Sequence, residues 1–398
     1  MMFCNRYHLW FRGVSCREFN GPGCCDAFGA SIGDGHEENC CFDTLNAARS
    51  YGYEHAGIGV YMVNLKQVAA LAGVSSSTVS RALAAPERLH PKTLKKVREA
   101  IASLDYVPYA PARVLRSGRS RTIGIVAPTL MNELYARAVD TLESEFLQLD
   151  YTGLLTCHRD DRDLELRIVR TLIERGVDGL ALVGSSHHPD VLTLIRRQEL
   201  PYVLMWATDP ERVHPTVGYD NQRAMGRVTE HLVNLGHVRI GVLTGPSDVH
   251  QLSAARLSGI REELGRHGIA LRPEAVIATP YDPESVRSAA RQFLSRANPP
   301  TALICNNDFV AAWALAECRA LGVSVPGQVS VTGFGDWDLA RLGSPSLTTI
   351  HSDAVKIGHL SAENLLAQVN NVGNQPVRQD EFEAELIVRE STAAAPAV

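Results

Sequence analysis

Long apolar runs are absent from this sequence. No stretch approaches the roughly 18 consecutive apolar residues that a membrane-spanning helix requires, so we expect no membrane partner. No repeat with a period of about 20 to 50 residues is visible, which argues against a solenoid. The first residues carry charge and histidine but lack the apolar segment of about 7 to 15 residues that a secretory signal contains.

Familiar catalytic motifs are also missing. The sequence contains no H-E-x-x-H and no G-x-x-x-x-G-K-[ST]. Gly333 and Gly335 form a lone G-x-G, which by itself indicates nothing. Cys157, Cys305 and Cys318 lack the spacing of metal ligands, and we expect them to be small buried hydrophobes. An enzyme is therefore the least favoured class, and we expect no cofactor and no metal.

Cysteine is concentrated at one end of the chain. Residues 1–61 hold six of the nine cysteines and show no sustained periodicity: Cys4, Cys16, Cys24, Cys25, Cys40 and Cys41. A disulfide framework would need an oxidising compartment. A zinc site is weakly supported, because adjacent cysteines do not have the C-x2-C spacing. The third interpretation is that 1–61 is disordered or an over-extended reading frame.

The most informative stretch is LKQVAALAGVSSSTVSRAL, from Leu65 to Leu83. Its first apolar positions recur at helical spacing: Leu65, Val68, Ala69 and Ala72. Gly73 tolerates a positive φ and ends this helix, and Ser75 is a natural N-cap for a second helix. Two short helices joined at a glycine predict a helix-turn-helix, whose second helix can enter a DNA major groove. A plain αα-hairpin is the alternative.

A third helix and a bias of charge accompany this motif. Pro91 stands at a good first-turn position for a helix with four periodic apolar residues: Leu94, Val97, Ile101 and Leu104. Between Met62 and Arg121 there are eleven Lys or Arg and three Asp or Glu, so the segment carries +8. The whole chain carries −5, so the remainder sums to −13. Such segregation is typical of a phosphate-binding module joined to an acidic body.

The chain resembles the lactose/galactose-repressor (LacI/GalR) family. LKQVAALAGVSSSTVSRAL and LDYVPYAPARVLRSGRSRTIGIVAP carry the resemblance, which extends from about Val63 to the last residues. It implies a DNA-binding headpiece at residues 62–107, a hinge linker at 108–121 and an effector-binding and dimerisation core at 122–398. Members of this family usually begin where Met62 stands, so we expect translation to start there.

The resemblance also assigns DNA contacts in the headpiece. The expected DNA-contacting side chains are Ser75, Ser76, Ser77, Thr78, Ser80 and Arg81. Arg81 has the chemistry to bind guanine O6 and N7. Ser76 and Ser77 are short and reach a base edge weakly or through water. The remaining hydroxyls contact phosphate or cap the helix.

The linker PYAPARVLRSGRSR is short and basic. A helix over 110–116 would have about two turns, too few to be stable alone, so we expect it to form only with DNA and a partner subunit. The resemblance places Leu115 where the family inserts a leucine into the minor groove, and Arg113 beside the DNA. Pro111 departs from the usual family residue but is tolerated in a first turn.

From Thr122 onward, apolar strands alternate with helices, which is the βαβ pattern of parallel sheets. The first series is TIGIVA, YTGLLT, DGLALV and YVLMW, and the second is VRIGVL, AVIAT, TALIC and QVSVTGF. We predict an α/β fold with a helix-turn-helix headpiece and a two-lobed, periplasmic-binding-protein-like core of parallel sheets. The expected lobes span about 122–219 plus 350–376 and about 220–349 plus 377–398.

Ligands of open α/β sheets bind beyond the carboxyl ends of the strands. The resemblance implies an effector site there with Arg256, Asn307, Asp308 and Asp336, although capping of the next helix is the alternative for Asn307 or Asp308. Asn132 and Trp206 are added because they follow predicted strands. Arg256 suits a carboxylate, because a guanidinium holds one with two hydrogen bonds. Gly335 occupies the usual position of the family aspartate, which leaves the role of Asp336 open. His187 and His188 are expected to be loop or cleft residues.

Three functions are compared on these observations. The favoured one is a cytoplasmic, homodimeric repressor that binds double-stranded operator DNA and responds to a small sugar or sugar acid. The motif GFGDWD, with Trp206 and the paired histidines, looks most like the gluconate-type branch of the family. The alternatives are a sugar-binding or transport module without a DNA role, and an α/β enzyme. A sugar-binding or transport module would not need the basic headpiece, and an enzyme would need a catalytic constellation that we do not find in the sequence.

Overall fold

A computed structural model describes residues 63–107, 118–184, 186–245, 251–370 and 376–397. The chain divides into two compact units, one ending at Val107 and one beginning at Pro108. The expectations for residues 1–61 and for most of the linker, including Arg113 and Leu115, lie outside the described residues. Among the described helices, none has the length and apolar character needed to cross a membrane.

Three α-helices form the first unit. They are α1 (Leu65–Ala72), α2 (Ser76–Ala84) and α3 (Pro91–Ser103), with a 3-10 turn at Pro86–Arg88. Asn64 caps α1 and forms a capping box with Gln67. Gly73 ends α1 at φ +65°, and the Ser75 hydroxyl accepts a hydrogen bond from the Thr78 N–H, 3.2 Å away. The predicted helix end and N-cap are therefore confirmed.

A small apolar core holds these three helices together. It consists of Val68, Ala69, Ala72, Val79, Ala82, Val97, Ala100 and Tyr106. Each helix contributes residues to this core, so the helix periodicity predicted from the sequence corresponds to the buried faces. The exposed face of α2 is left with small polar side chains and Arg81.

The second unit contains a six-stranded parallel sheet in the order β11-β5-β4-β3-β1-β2. Its strands are β1 (Thr122–Ala127), β2 (Thr152–Cys157), β3 (Gly179–Val183), β4 (Tyr202–Met205), β5 (Thr216–Gly218) and β11 (Gln379–Glu381). The accompanying helices are α4 (Glu133–Gln148), α5 (Arg162–Glu174), α6 (Pro189–Arg197) and α12 (Ala354–Asn370). This sheet and its helices form the first lobe.

A four-stranded parallel sheet in the order β7-β6-β8-β9 builds the second lobe. Its strands are β6 (Ile240–Thr244), β7 (Val276–Ala278), β8 (Ala302–Cys305) and β9 (Ser330–Thr332). The accompanying helices are α7 (Asn221–Asn234), α8 (Gln251–Arg266), α9 (Pro283–Leu294), α10 (Asp308–Ala320) and α11 (Asp338–Leu342), with a 3-10 turn at Pro273–Ala275. The predicted parallel-sheet architecture is confirmed.

The chain crosses between the lobes three times. Two crossings lie where the strand series breaks in the sequence, between β5 and α7 and between β10 (Thr349–His351) and α12. The third lies between β11 and β12 (Glu385–Ile387), and β12 pairs antiparallel with β10. Our expectation that the second lobe resumes at residue 377 was wrong, because β11 pairs with β5 in the first sheet. The three residues of β11 have no apolar pattern, so the sequence did not indicate that they pair with β5.

Candidate functional site

A cavity of about 350 Å³ lies between the two lobes of the core. Its walls come from the segments that follow the carboxyl ends of strands, which is where open α/β sheets bind their ligands. First-lobe residues lining it follow β1, β2, β3 and β4: Thr129, His158, Gly184 and Trp206. Second-lobe residues include Asn306 after β8 and Phe334 after β9. The volume is sufficient for a small organic ligand.

Four of the six predicted effector residues line this cavity: Asn132, Trp206, Arg256 and Asn307. Asn132 and Asn307 also cap helices. The Asn132 side-chain oxygen accepts from the Leu134 N–H at 3.0 Å, and that of Asn307 accepts from the Val310 N–H at 2.9 Å. Each amide group is therefore held at the cavity wall by the N-terminus of its own helix.

Arg256 is a buried cation on α8, only 8% exposed. Its Nε donates to Asn221 Oδ1 at 2.9 Å, and its Nη1 donates to the Asn306 carbonyl at 2.8 Å. The guanidinium also lies 3.7 Å above the centroid of the Phe334 ring. These three partners hold the guanidinium group in place but carry no formal charge. The geometry leaves a positive charge at the cavity wall that a ligand anion would balance.

Trp206 forms an aromatic wall with Tyr135. The two ring centroids are 4.9 Å apart with an interplanar angle of 65°, an edge-to-face contact. Trp206 is 1% exposed and has φ +54°, so the chain turns sharply as it leaves β4. The indole Nε1 donates to Ser352 Oγ at 3.2 Å. Burial raises the pKa of Tyr135 well above its ordinary value, so its hydroxyl remains protonated.

Ser352 joins this wall to two of the crossings between the lobes. It follows β10 in the second crossing, and its hydroxyl also accepts from Tyr219 OH at 2.6 Å. Tyr219 lies in the first crossing, just before α7. A buried serine therefore connects a cavity residue to both crossings, which places the cavity and the hinge in one hydrogen-bond network.

Asp308 and Asp336, also predicted for the effector site, do not line the cavity. Asp308 is fully buried and accepts from the Trp337 N–H at 2.7 Å and from Thr349 Oγ1 at 2.5 Å. Burial raises its pKa to about 6. It therefore joins the start of α10 to the segments around α11 and β10.

Asp336 lies at the centre of an ion-pair cluster. Its carboxylate accepts from Arg341 at 2.7 Å, from Arg389 at 2.5 Å and from His351 Nδ1 at 3.0 Å. Burial opposes ionisation, but the hydrogen bonds from the two arginines keep the pKa of Asp336 below its ordinary value. The neighbouring Gly335 has φ +135°, and a Cβ there would come within 2.4 Å of Trp337 Nε1. An aspartate at 335 would collide with that indole.

The predicted DNA-contacting residues of the headpiece lie on and before α2. Ser77 and Arg81 are exposed and one turn apart, so they share a face of the helix. Ser75 Oγ lies 2.7 Å from Ser77 Oγ and 2.9 Å from Thr78 Oγ1. Ser76 and Ser80 are partly buried on an adjacent face. The hydroxyls around Ser75 thus bond to one another, whereas Arg81 extends from the surface.

Other cavity residues were missed by the sequence reasoning: Tyr135, His158, Asp160, Arg162, Glu165, Ser186, Ser253, Tyr281 and Asn306. Asn306 directly follows the predicted strand TALIC, and His158 lies two residues beyond the predicted strand YTGLLT, so their positions could have identified them. Asn306 Nδ2 donates to Ser253 Oγ at 3.0 Å and to Tyr281 OH at 2.5 Å. The partners lie 25 and 53 residues away, and no local pattern joins them.

His187 and His188 have separate structural roles. The His187 ring is buried against Glu165, whereas His188 Nδ1 caps α6 by accepting from the Asp190 N–H at 3.1 Å. Among the residues described in the structure, no group of three or more His, Cys, Asp and Glu side chains is arranged to hold a metal ion.

Comparison with known proteins gives two family matches. Residues 64–109 match the profile "Bacterial regulatory proteins, lacI family", and residues 229–392 match a periplasmic binding protein-like domain. The repressor PurR of Photobacterium profundum is 34% identical over 334 residues, which cover 83% of this chain and 98% of that protein.

Two solved structures have a similar fold. The lac repressor dimer bound to operator and the anti-inducer ONPF is 27% identical, with a TM-score of 0.74. The complex of the transcriptional regulator CelR with cellobiose is also 27% identical, with a TM-score of 0.62. Each match covers 83% of this chain and 99% of the solved chain.

Proposed function

The chain belongs to the LacI family of bacterial regulatory proteins, and we propose that a sugar acid bound between its lobes releases it from operator DNA. It is a DNA-binding transcriptional repressor whose operator affinity is controlled by a small effector, as is usual in this family. We place it in the cytoplasm, where its operator would be found. The observation that carries the effector assignment is Arg256.

Arg256 supports an acidic effector because its hydrogen-bond and ring partners among the described residues, Asn221, Asn306 and Phe334, are neutral. A buried guanidinium is costly unless a negative group balances it. A ligand carboxylate would supply that charge, and the edge-to-face pair of Trp206 and Tyr135 offers apolar surface to a carbon chain or ring. Asn132 and Asn307 offer amides to hydroxyl groups. A gluconate-like sugar acid combines these features.

The DNA contacts are proposed for α2. Arg81 reads a guanine in the major groove, where a bidentate contact contributes about 1 to 3 kcal/mol of discrimination. Ser76 and Ser77 contact a base edge directly or through water, and Ser75, Thr78 and Ser80 face phosphate or cap α2. Arg113 and Leu115, in the linker, are proposed to contact the minor groove.

The end of the linker is fixed to the first lobe, and this attachment supports a mechanism for release. Asp178 accepts from the Ser120 N–H at 2.9 Å and from the Arg121 N–H at 2.8 Å. Arg119 Nη2 donates to the Val369 carbonyl at 2.6 Å, at the end of α12. Movement of the first lobe would therefore move the linker with it. Effector binding closes the cavity, shifts this lobe in both subunits and separates the two linkers.

Selection of DNA followed by ligand release tests this function. Duplexes bound by the protein are selected from a random pool, and gluconate and related sugars and sugar acids are then added one at a time. We expect a two-fold symmetric sequence to be enriched and an acidic sugar to release it. A chain that prefers no sequence at moderate salt but still binds a sugar would instead be a binding module.

A further inference from the structure

A buried carboxylate and a buried imidazole meet beside the cavity. Glu165 on α5 and His187 in the loop before α6 are 1% and 9% exposed. His187 Nδ1 lies 2.5 Å from Glu165 Oε1, and His187 Nε2 lies 3.0 Å from the Gly184 carbonyl oxygen. The other carboxylate oxygen accepts from the His188 N–H at 2.9 Å. Glu165, Gly184 and Ser186 all line the cavity.

This geometry requires an extra proton. A carbonyl oxygen only accepts, so His187 Nε2 must carry a hydrogen toward Gly184. A hydrogen must also lie between Nδ1 and Glu165, because two lone pairs at 2.5 Å would repel. An ionised carboxylate beside a neutral imidazole has only one ring hydrogen for these two contacts. The pair therefore holds one more proton, either as imidazolium and carboxylate or as imidazole and carboxylic acid.

Other charged and titratable groups surround the pair. His158 faces the pair from the segment after β2, with Asp160 and Asp161 near His158, and His214 faces His187 from the segment before β5. Burial lowers the pKa of His158, although the negative charges of Glu165 and Asp160 oppose that effect. Burial alone would raise the pKa of Glu165, but the hydrogen bond and the charge of His187 lower it. Arg162 Nη2 donates to Ser186 Oγ at 2.6 Å.

We propose that the proton shared by Glu165 and His187 is required for effector binding. It fixes Gly184 and Ser186 on the cavity wall and keeps the pair without net charge, so that the pair does not repel a ligand anion held by Arg256. The proposal rests on the proposed function, because it takes this cavity as the effector site. When rising pH removes the proton, one ring nitrogen turns a lone pair toward an oxygen, the loop shifts and effector affinity falls.

Glu165→Gln keeps the hydrogen bonds of the pair but removes the proton that rising pH would take away. The glutamine amide can donate to His187 Nδ1 while its oxygen accepts from the His188 N–H. His187 then remains neutral, and its Nε2 donates to Gly184 as before. The variant reproduces every contact of the protonated pair without a titrating carboxyl group. A matched control is His188→Asn, which keeps a helix cap at α6 and leaves the pair intact.

The test is the affinity of the full chain for gluconate between about pH 6 and pH 9, a range in which the gluconate carboxylate stays ionised. We expect wild type and His188→Asn to bind about tenfold more weakly at the alkaline end, because a buried polar contact is lost. Glu165→Gln should match wild type near pH 6.5 and stay constant within about threefold. A wild-type profile in Glu165→Gln, or weak binding by it at every pH, would overturn the proposal.

Thermal unfolding without ligand gives an independent readout. The native pair holds its proton more tightly than the unfolded chain does, so its stabilisation is present at low pH and is lost as pH rises. The unfolding midpoint of wild type should therefore fall relative to Glu165→Gln toward alkaline pH. A difference in unfolding midpoint that stays constant with pH would contradict the shared proton. Absence of gluconate binding by all variants, with the midpoints diverging as expected, would contradict the proposed effector class and not the shared proton.

Discussion

Arg256 is the residue on which the effector assignment depends. Arg256→Lys keeps a positive charge but cannot contact Asn221, the Asn306 carbonyl and a ligand carboxylate together. We expect the affinity for gluconate to fall about 10- to 100-fold, as loss of a hydrogen bond to a charged group costs about 1.5 to 3 kcal/mol. Isothermal titration calorimetry measures this loss.

Arg266→Lys is the matched control for that experiment. Arg266 lies on the same helix, but its partners are the carboxylates of the exposed Glu262 and the buried Glu263. Its substitution should leave the gluconate affinity unchanged. Equal losses in the two variants would show that Arg256 acts through the stability of α8 and does not contact the ligand.

Asp308 gives a prediction about stability and pH. Burial raises its pKa from 3.8 to about 6, so the native state binds this proton more tightly than the unfolded chain does. The contribution is present below pH 3.8 and is lost as pH rises through about 6. At about 1.36 kcal/mol per unit, this loss approaches about 3 kcal/mol. Asp308→Asn lacks the titration, so wild type should lose stability relative to it between about pH 4 and pH 8.

The measurement is the free energy of unfolding in denaturant for both proteins across that range. We expect a constant offset between Asp308→Asn and wild type at every pH, since an amide replaces a carboxyl group beside Thr349 and Trp337. The prediction concerns only how the difference in free energy of unfolding between the two proteins changes with pH. A difference that stays constant would contradict a raised pKa at Asp308.

Individual residues show how far the sequence could predict the site. Arg256, Trp206, Asn132 and Asn307 were predicted for this site from a resemblance and from their position near strand ends, and they line the cavity. Asp336 was misplaced because its partners, Arg389 and His351, lie in other elements whose approach depends on the tertiary fold. The pair of Glu165 and His187 escaped prediction for the same reason, since 22 residues separate them.

At the scale of elements, the turn between α1 and α2 is the most constrained. Gly73 has φ +65°, and no atom lies within 4 Å of a Cβ placed there. Gly73→Ala therefore meets no clash, and its cost comes from the backbone, about 1 to 2 kcal/mol. Amide hydrogen exchange of α1 and α2 should become about five- to tenfold faster or more as this stability is lost.

Gly265→Ala is the control for the turn. A Cβ at Gly265 also meets no atom within 4 Å, but this glycine lies inside α8 with an ordinary helical φ. We expect that substitution to stabilise α8 by about 0.5 to 1 kcal/mol and to leave headpiece exchange unchanged. Unchanged exchange in Gly73→Ala would contradict a strict need for glycine at the turn.

Most core elements were predictable because burial on both faces leaves a continuous apolar run. The predicted TIGIVA coincides with β1, and the predicted TALIC exceeds β8 by one residue. β11 was not predictable, since its sequence, Gln-Asp-Glu, has no apolar pattern. It forms a strand because β5 presents a free edge beside it, which is a tertiary effect.

At the scale of the whole molecule, the separation of charge agrees with two kinds of partner. The basic segment from Met62 to Arg121 suits DNA, and the acidic remainder does not suit a second nucleic-acid site. We predict that the full chain is a dimer, because a two-fold symmetric operator requires two headpieces. Sedimentation equilibrium measures the mass, and a monomer or tetramer would contradict this prediction.

The central claim is that effector binding and operator binding are coupled. The direct measurement is the dissociation constant for the selected operator, by fluorescence anisotropy, with and without saturating gluconate. A coupling free energy of about 1 to 3 kcal/mol predicts operator binding about 5- to 150-fold weaker with gluconate. The operator should weaken gluconate binding by the same factor, because the coupling is reciprocal. Operator affinity that is unchanged or higher with gluconate bound would contradict the account.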